Sequence, residues 1–197
     1  MIKLNSFEAA ENHIAKLLVK SSKEKLKREN FNGALKDIEK AVELNDQLVA
    51  CYFMKGEIYS SINRKYNKRS TKKQNYLLAL KNYEKAIEME PNNYESFQGR
   101  GNLYLMEGKY SHAKNDFTVS INLANAIETI DKVSKLMDEM KIDDAIDSVF
   151  LLIKNVNKFL EVTVPWKVVK TDLKKGGALL FTAAESLRII ALLLAPI

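Results

Sequence analysis

Cysteine is almost missing from this chain. Of 197 residues only Cys51 carries a thiol, so no internal disulfide can form and nothing points to an oxidising compartment. Glycine and proline are nearly as scarce, at seven and three. A β-sandwich or barrel needs more turn residues than that; helices joined by short turns do not. The N-terminus lacks the apolar run of a secretory signal, since Met1-Ile2-Lys3-Leu4-Asn5 leads straight to Glu8 and Glu11. Only the stretch Ala178 to Ile197 is apolar enough to suggest a membrane span, and Glu185 and Arg188 lie one turn apart inside it. That stretch is expected to be a buried bundle helix, with no membrane partner, in a soluble cytoplasmic protein.

What is present suits an all-α fold. Hydrophobic residues make up 46%, enough to bury one core or two small ones without metals. The net charge of +6 is uneven. Residues 128–197 hold ten Lys/Arg against ten Asp/Glu, so the excess lies in the first 127, mainly in Lys16 to Arg28 and Arg64 to Lys73. Such stretches attract nucleic acid or acidic peptides, although a solvated helix face or loop is their commoner meaning.

The first two-thirds of the chain repeats itself through small residues. Ala34, Ala79 and Ala113 each precede Ile38, Tyr83 and Phe117 by four, and three further on come Ala41, Ala86 and Ser120. Offsets of four and seven share one helix face, and small residues there admit a neighbouring helix. The preceding helix carries a second series, Tyr52, Gly56, Tyr59 and then Phe97, Gly101, Tyr104, in which a glycine notch lies between two aromatic knobs. This pattern resembles the tetratricopeptide (TPR) repeat, best in the unit 94–127, where Phe97, Gly101, Tyr104, Gly108, Tyr110, Ala113 and Phe117 agree in one register. The resemblance implies three helical hairpins, at 15–48, 49–93 and 94–127, in a solenoid continued by a small antiparallel helical bundle. Ala79 to Ala113 is 34 residues, but Ala34 to Ala79 and Gly56 to Gly101 are both 45. Eleven extra residues therefore fall around Asn63 to Gln74, expected to be a basic, solvated, mobile loop. The first unit fits most weakly, with Ser22 in place of the glycine.

In TPR proteins the first helices of the units line a groove that holds a polypeptide. Carried over by register, its candidate contacts are Lys16, Val19, Lys23 and Lys27; Phe53, Glu57 and Ser60; and Glu95, Gln98, Asn102 and Leu105. The bland reading of each is ordinary helix surface. The two-carboxylate clamp for chaperone C-termini is not expected, because its places hold Val19, Lys23, Met54, Glu95 and Gly99.

After about residue 135 a different resemblance takes over. Asn157-Lys158-Phe159-Leu160, Pro165-Trp166-Lys167 and the run Glu185-Ser186-Leu187-Arg188 to Pro196 look like the helical anticodon-binding domain of methionyl-tRNA synthetases. The resemblance implies that Trp166 stacks on a base, with Pro165 fixing its approach and Lys167 and Lys170 near phosphates. Against this, Trp166 is the chain's lone tryptophan and can simply be core. The family's earlier Asn/Arg-bearing helix and its catalytic half are not found, so 128–197 reads as a partial domain in which tRNA binding is unlikely to persist and aminoacylation is not expected. The missing beginning, and the absence of Gly and Pro between Gly108 and Pro165, suggest an engineered or truncated fusion. A natural TPR scaffold capped by the C-terminal helices is the rival reading.

Other chemistry is sparse, and neither cofactor, metal nor catalysis is expected. His13 and His112 are far from each other and from Cys51. Asp143, Asp144 and Asp147 read as the start of a helix, and Gly99-Arg100-Gly101 and Gly176-Gly177 lack the setting of a phosphate loop. Ile121, Ala124, Ile127, Ile130, Val133, Met137 and Met140 recur every three or four residues, predicting one unbroken helix from about Tyr110 to Met140.

Overall fold

The computed structural model describes residues 2–66 and 69–195. They form nine helices and no strand: α1 Ile2–Lys27, α2 Phe31–Leu44, α3 Val49–Lys65, α4 Arg69–Met89, α5 Tyr94–Met106, α6 Tyr110–Asp138, α7 Ile142–Thr163, the short α8 Pro165–Val168, and α9 Leu173–Leu194. Two compact units emerge, residues 1–90 with 99–113, and residues 91–98 with 114–197. The 127/128 boundary expected from the sequence lies inside α6.

Short polar side chains start several helices by accepting their free amides. Asn30 accepts from the Gly33 amide at 3.0 Å, Asn93 from Ser96 at 2.9 Å, and Asp172 from Lys175 at 3.0 Å. Three helices stop in the same way, on a left-handed residue closed by a hydrogen bond spanning five residues. Asn30 donates to the Lys25 carbonyl, Lys109 to Tyr104 and Lys141 to Leu136. The left-handed residues are Glu29, Gly108 and Met140, so two of the stops need no glycine.

In the first unit α1 pairs with α2 and α3 with α4, and α2 packs on α3. The small-residue face is buried as expected: Ala34, Ile38, Ala41, Ala79, Tyr83 and Ala86 have no exposed surface. A Cβ on Gly56 would stand 2.8 Å from the Tyr83 ring, and one on Gly99 2.5 Å from it. The ring thus occupies two glycine notches, one on α3 and one on α5. The first hairpin, whose fit to the repeat pattern is the weakest, is nonetheless well packed. Ala15 and Ser22 are fully buried, and the Ser22 hydroxyl donates to the Ala34 carbonyl at 3.0 Å across the hairpin.

The basic insertion is not a loop. α3 runs to Lys65 and α4 starts at Arg69, so the extra residues lengthen helices; Asn67 and Lys68 lie outside the described residues. Lys, Arg and Gln are good helix formers, and no Gly or Pro interrupts them. The longer helices also gain anchors at the α5–α6 turn. Lys72 pairs with Glu107 at 3.7 Å, Asn63 donates to the same carboxylate at 3.4 Å, and Lys109 donates to the buried Tyr76 hydroxyl at 2.8 Å.

α6 is unbroken through the expected join. At 1.5 Å per residue it is about 43 Å long, and it ends at Asp138, two residues short of the expected end. The stripe used to predict it is nevertheless mostly the wrong face. Ile121, Ile127, Ile130 and Met140 are exposed, and the buried line is Ala113, Asp116, Val119, Ser120, Leu123, Ala126 and Val133.

The second unit's core joins three helices: Ala126 and Val133 of α6, Ala145, Val149, Leu152 and Val156 of α7, and Ile189 and Ile190 of α9. α7 carries Asp143 and Asp144 in its first turn, where carboxylates favour the helix dipole. It ends at Val164, left-handed at φ 43°, because a residue before proline is disfavoured in the helical region. Gly176 lets α9 approach the backbone of Val169, which a Cβ would meet at 2.5 Å. α9 is the bundle helix expected, and it buries one face. Leu180, Leu187, Leu192 and Leu194 remain exposed, and by length and composition alone the helix could cross a membrane.

The Tyr83 arrangement gives a direct test. Gly99→Ala forces the ring from its notch and is expected to cost about 1–3 kcal/mol, read as a lower melting temperature by circular dichroism. Combined with Tyr83→Leu, the two losses should be less than additive; an unchanged melting temperature for Gly99→Ala contradicts the notch.

Candidate functional site

The first helices of the two leading hairpins, α1 and α3, touch one another, as the groove reading requires. α1 places Lys16, Lys23 and Lys27 on its exposed side. Lys20, not selected by the repeat register, completes the row at spacings of four, three and four, and is exposed as well. These four lysines fall within a narrow arc of the helix. Their signal was the basic stretch from Lys16 to Arg28. Lys27 also pairs with Glu24 at 2.8 Å, two exposed groups.

The α3 candidates fare differently. Ser60 is buried, 5% exposed, and cannot touch a partner: it sits beside the Tyr83 hydroxyl, to which it is hydrogen bonded. Glu57 is half-buried and accepts from Tyr83 Oη at 2.6 Å. Burial first, then the charge of Glu57, raises the Tyr83 pKa, so the phenol stays a neutral donor. Phe53 is half-buried, its ring 6.3 Å from that of Tyr83, and it belongs to the core more than to a surface. Val19 packs partly into the first hydrophobic cluster. On α5, Asn102 and Leu105 are exposed in the first unit, and Glu95 and Gln98 are exposed in the second.

A partly buried ion pair joins the lysine-bearing helix to α2. Asp37 of α2, 8% exposed, accepts from Lys25 Nζ at 2.6 Å and Ser21 Oγ at 2.7 Å. Burial pushes its carboxyl pKa up, but the hydrogen bonds from Lys25 and Ser21 outweigh it and hold the group below its ordinary value. Cys51 is buried and its thiol pKa is pushed up to about 11, chiefly by burial, so it is a core residue without thiolate reactivity. Among the described residues no three His, Cys, Asp or Glu gather as a metal site.

In the second unit, Trp166 is not core: it is 53% exposed. Pro165, the preceding residue, is buried and cannot itself reach a ligand. Lys167 and Lys170 are both exposed. Tryptophan and the two lysines thus share the solvent side of the α7–α9 connection.

Residues 82–115 match the tetratricopeptide repeat family, one period running from late α4 through α5 into α6. Three methionine–tRNA ligases are also similar: that of Caldanaerobacter subterraneus, 36% identical over 67 residues; that of Metallosphaera sedula, 33% over 92; and that of Streptomyces coelicolor, 34% over 119. The chain joins a tetratricopeptide repeat to a methionyl-tRNA-synthetase-like segment. The matches take in 33%, 46% and 54% of this chain, and 10%, 16% and 21% of the ligases. The chain therefore spans a small part of these relatives' length. A match over 54% of 197 residues cannot fit within 128–197, so the synthetase likeness extends beyond the segment first assigned to it.

The Asp37 pair predicts a pH response. A carboxylate with a depressed folded pKa stabilises the fold above its unfolded value, near 4, and loses that contribution as pH falls through the folded value. Asp37→Asn should cost about 1–2 kcal/mol at neutral pH and flatten the fall in stability between about pH 4 and pH 2, measured by urea unfolding across pH. An equally steep acid loss in the variant would assign it to other groups.

Proposed function

We propose that this chain is a non-catalytic scaffold that holds an acidic polypeptide segment on the α1 side of its TPR unit. The observation that carries this reading is the exposed lysine row Lys16, Lys20, Lys23 and Lys27, on a helix whose place in the repeat register is that of a groove-lining element. Rows of one charge raise the local concentration of opposite charge and speed its capture. Asn102 and exposed Leu105 on α5 supply polar and apolar contacts in the same unit.

The test is fluorescence anisotropy with a labelled peptide of alternating Glu and Leu. Binding should weaken as salt rises, and Lys16→Glu with Lys20→Glu and Lys23→Glu should weaken it by at least about tenfold without changing the helical circular dichroism. Equal binding by the triple variant rejects the lysine row as the contact.

A second reading, tRNA binding, is favoured by the exposure of Trp166 beside Lys167 and Lys170. Base stacking on a tryptophan is worth about 1–3 kcal/mol, so Trp166→Ala distinguishes the two. Under the scaffold reading tRNA associates weakly, with strong salt dependence, and the variant behaves as the parent in filter binding. A roughly tenfold or greater loss in Trp166→Ala would establish the RNA reading instead.

A further inference from the structure

α9 carries an exposed seam that the core does not use. Its inner face, from Gly176 through Leu179, Thr182, Ala183 and Ser186 to Ile190, is buried. On the outer side Leu173, Leu180, Leu187 and Leu194 recur every seven residues, with exposures of 75%, 43%, 51% and 54%. Between them, at alternate steps of four and three, stand Gly177, Ala184 and Ala191, all exposed. A Cβ on Gly177 would meet nothing within 4 Å. All seven positions are uncharged, and together they make a heptad seam along the whole helix, in which large and small residues alternate.

From this seam we infer that the chain forms a two-fold dimer in which α9 packs antiparallel against α9 of a second copy. The alternation itself selects the occupant. In a parallel pair in register, leucine meets leucine and alanine meets alanine, leaving voids at every small position. Antiparallel about an axis near Thr182, Leu173 lies opposite Ala191, Leu180 opposite Ala184, and Leu187 opposite Gly177. Three of the four knobs then face a notch in the same sequence, with Leu194 beyond the paired layers, and this is the self-complementarity a two-fold interface requires. Small residues at alternate layers also let the helices approach to the near end of the usual 8–10 Å range. α9 is about 33 Å long, and a single helix pair of that length lies at the lower end of stable interface sizes. Dimerisation is accordingly concentration-dependent, in the micromolar range. A lipid surface would use the same apolar side chains but has no use for the large–small alternation.

The test is sedimentation equilibrium of the full chain over about 1–200 µM. The parent should move from monomer to dimer, and Leu180→Lys with Leu187→Lys should remain monomeric with unchanged thermal unfolding. Ala184→Leu is decisive. It adds apolar surface yet fills the notch for Leu180, so it should weaken the dimer at least about tenfold. Tighter association of Ala184→Leu, a monomeric parent throughout, or flotation of the parent with phosphatidylcholine vesicles would each overturn the inference. Because the lysine row is on α1, loss of peptide binding leaves this result unaffected, and the two proposals fail separately.

Discussion

The contact on which the first unit depends is the Tyr83 ring seated against two residues without side chains. Gly56 and Gly99 lie so close to it that a single carbon at either would overlap the ring. Removing a Cβ from a helix interior costs about 0.5–1 kcal/mol, a cost offset only where something large fills the space. The ring does so, and its hydroxyl then needs a partner inside the fold. Glu57, the residue next to Gly56, supplies it at 2.6 Å. One residue of α4 thereby fastens α3 and α5, and the same arrangement buries Ser60 and engages the Glu57 carboxylate inside the fold.

The first hairpin meets the same requirement with different residues. Ile38 stands where the second hairpin has tyrosine, and Ser22 stands where it has glycine. A branched aliphatic side chain leaves room for a hydroxymethyl group, and the hydroxyl is satisfied by the Ala34 carbonyl. Departure from the repeat pattern is here a paired change. That is why a unit that matches poorly residue by residue is among the best buried parts of the chain.

Much of this was legible in the sequence, and the failures share a cause. Periodic small and aromatic residues revealed the hairpins and the notch at Gly56, because they report which residues face inward. The insertion reads as a loop when judged by its charge, although Lys, Arg and Gln propagate a helix well. Its anchors, Glu107 and Lys109, lie more than thirty residues away, beyond what local pattern reveals. Ser60 was misplaced for a related reason: register gives a residue's angle around its helix but not which neighbour covers it. Lys20 was passed over because the groove positions of the repeat excluded it, although composition had marked its surroundings.

α6 shows how a correct expectation can rest on the wrong residues. An apolar stripe predicts its continuity, yet most of that stripe is exposed and the buried line is built from alanines, Val119, Leu123, Val133 and two polar residues, Asp116 and Ser120. What carries the helix past the expected join is the absence of any residue that would stop it: no glycine or proline occurs between Gly108 and Pro165, and Asn125 stands where the repeat family has proline. Hydrogen-bonded propagation then continues at little cost per residue, until Met140 takes the left-handed conformation and Lys141 closes the end on Leu136. A repeat whose last helix lacks a stop signal has no intrinsic end. The same helix then supplies Ala113 to the first unit and Ala126 and Val133 to the core of the second.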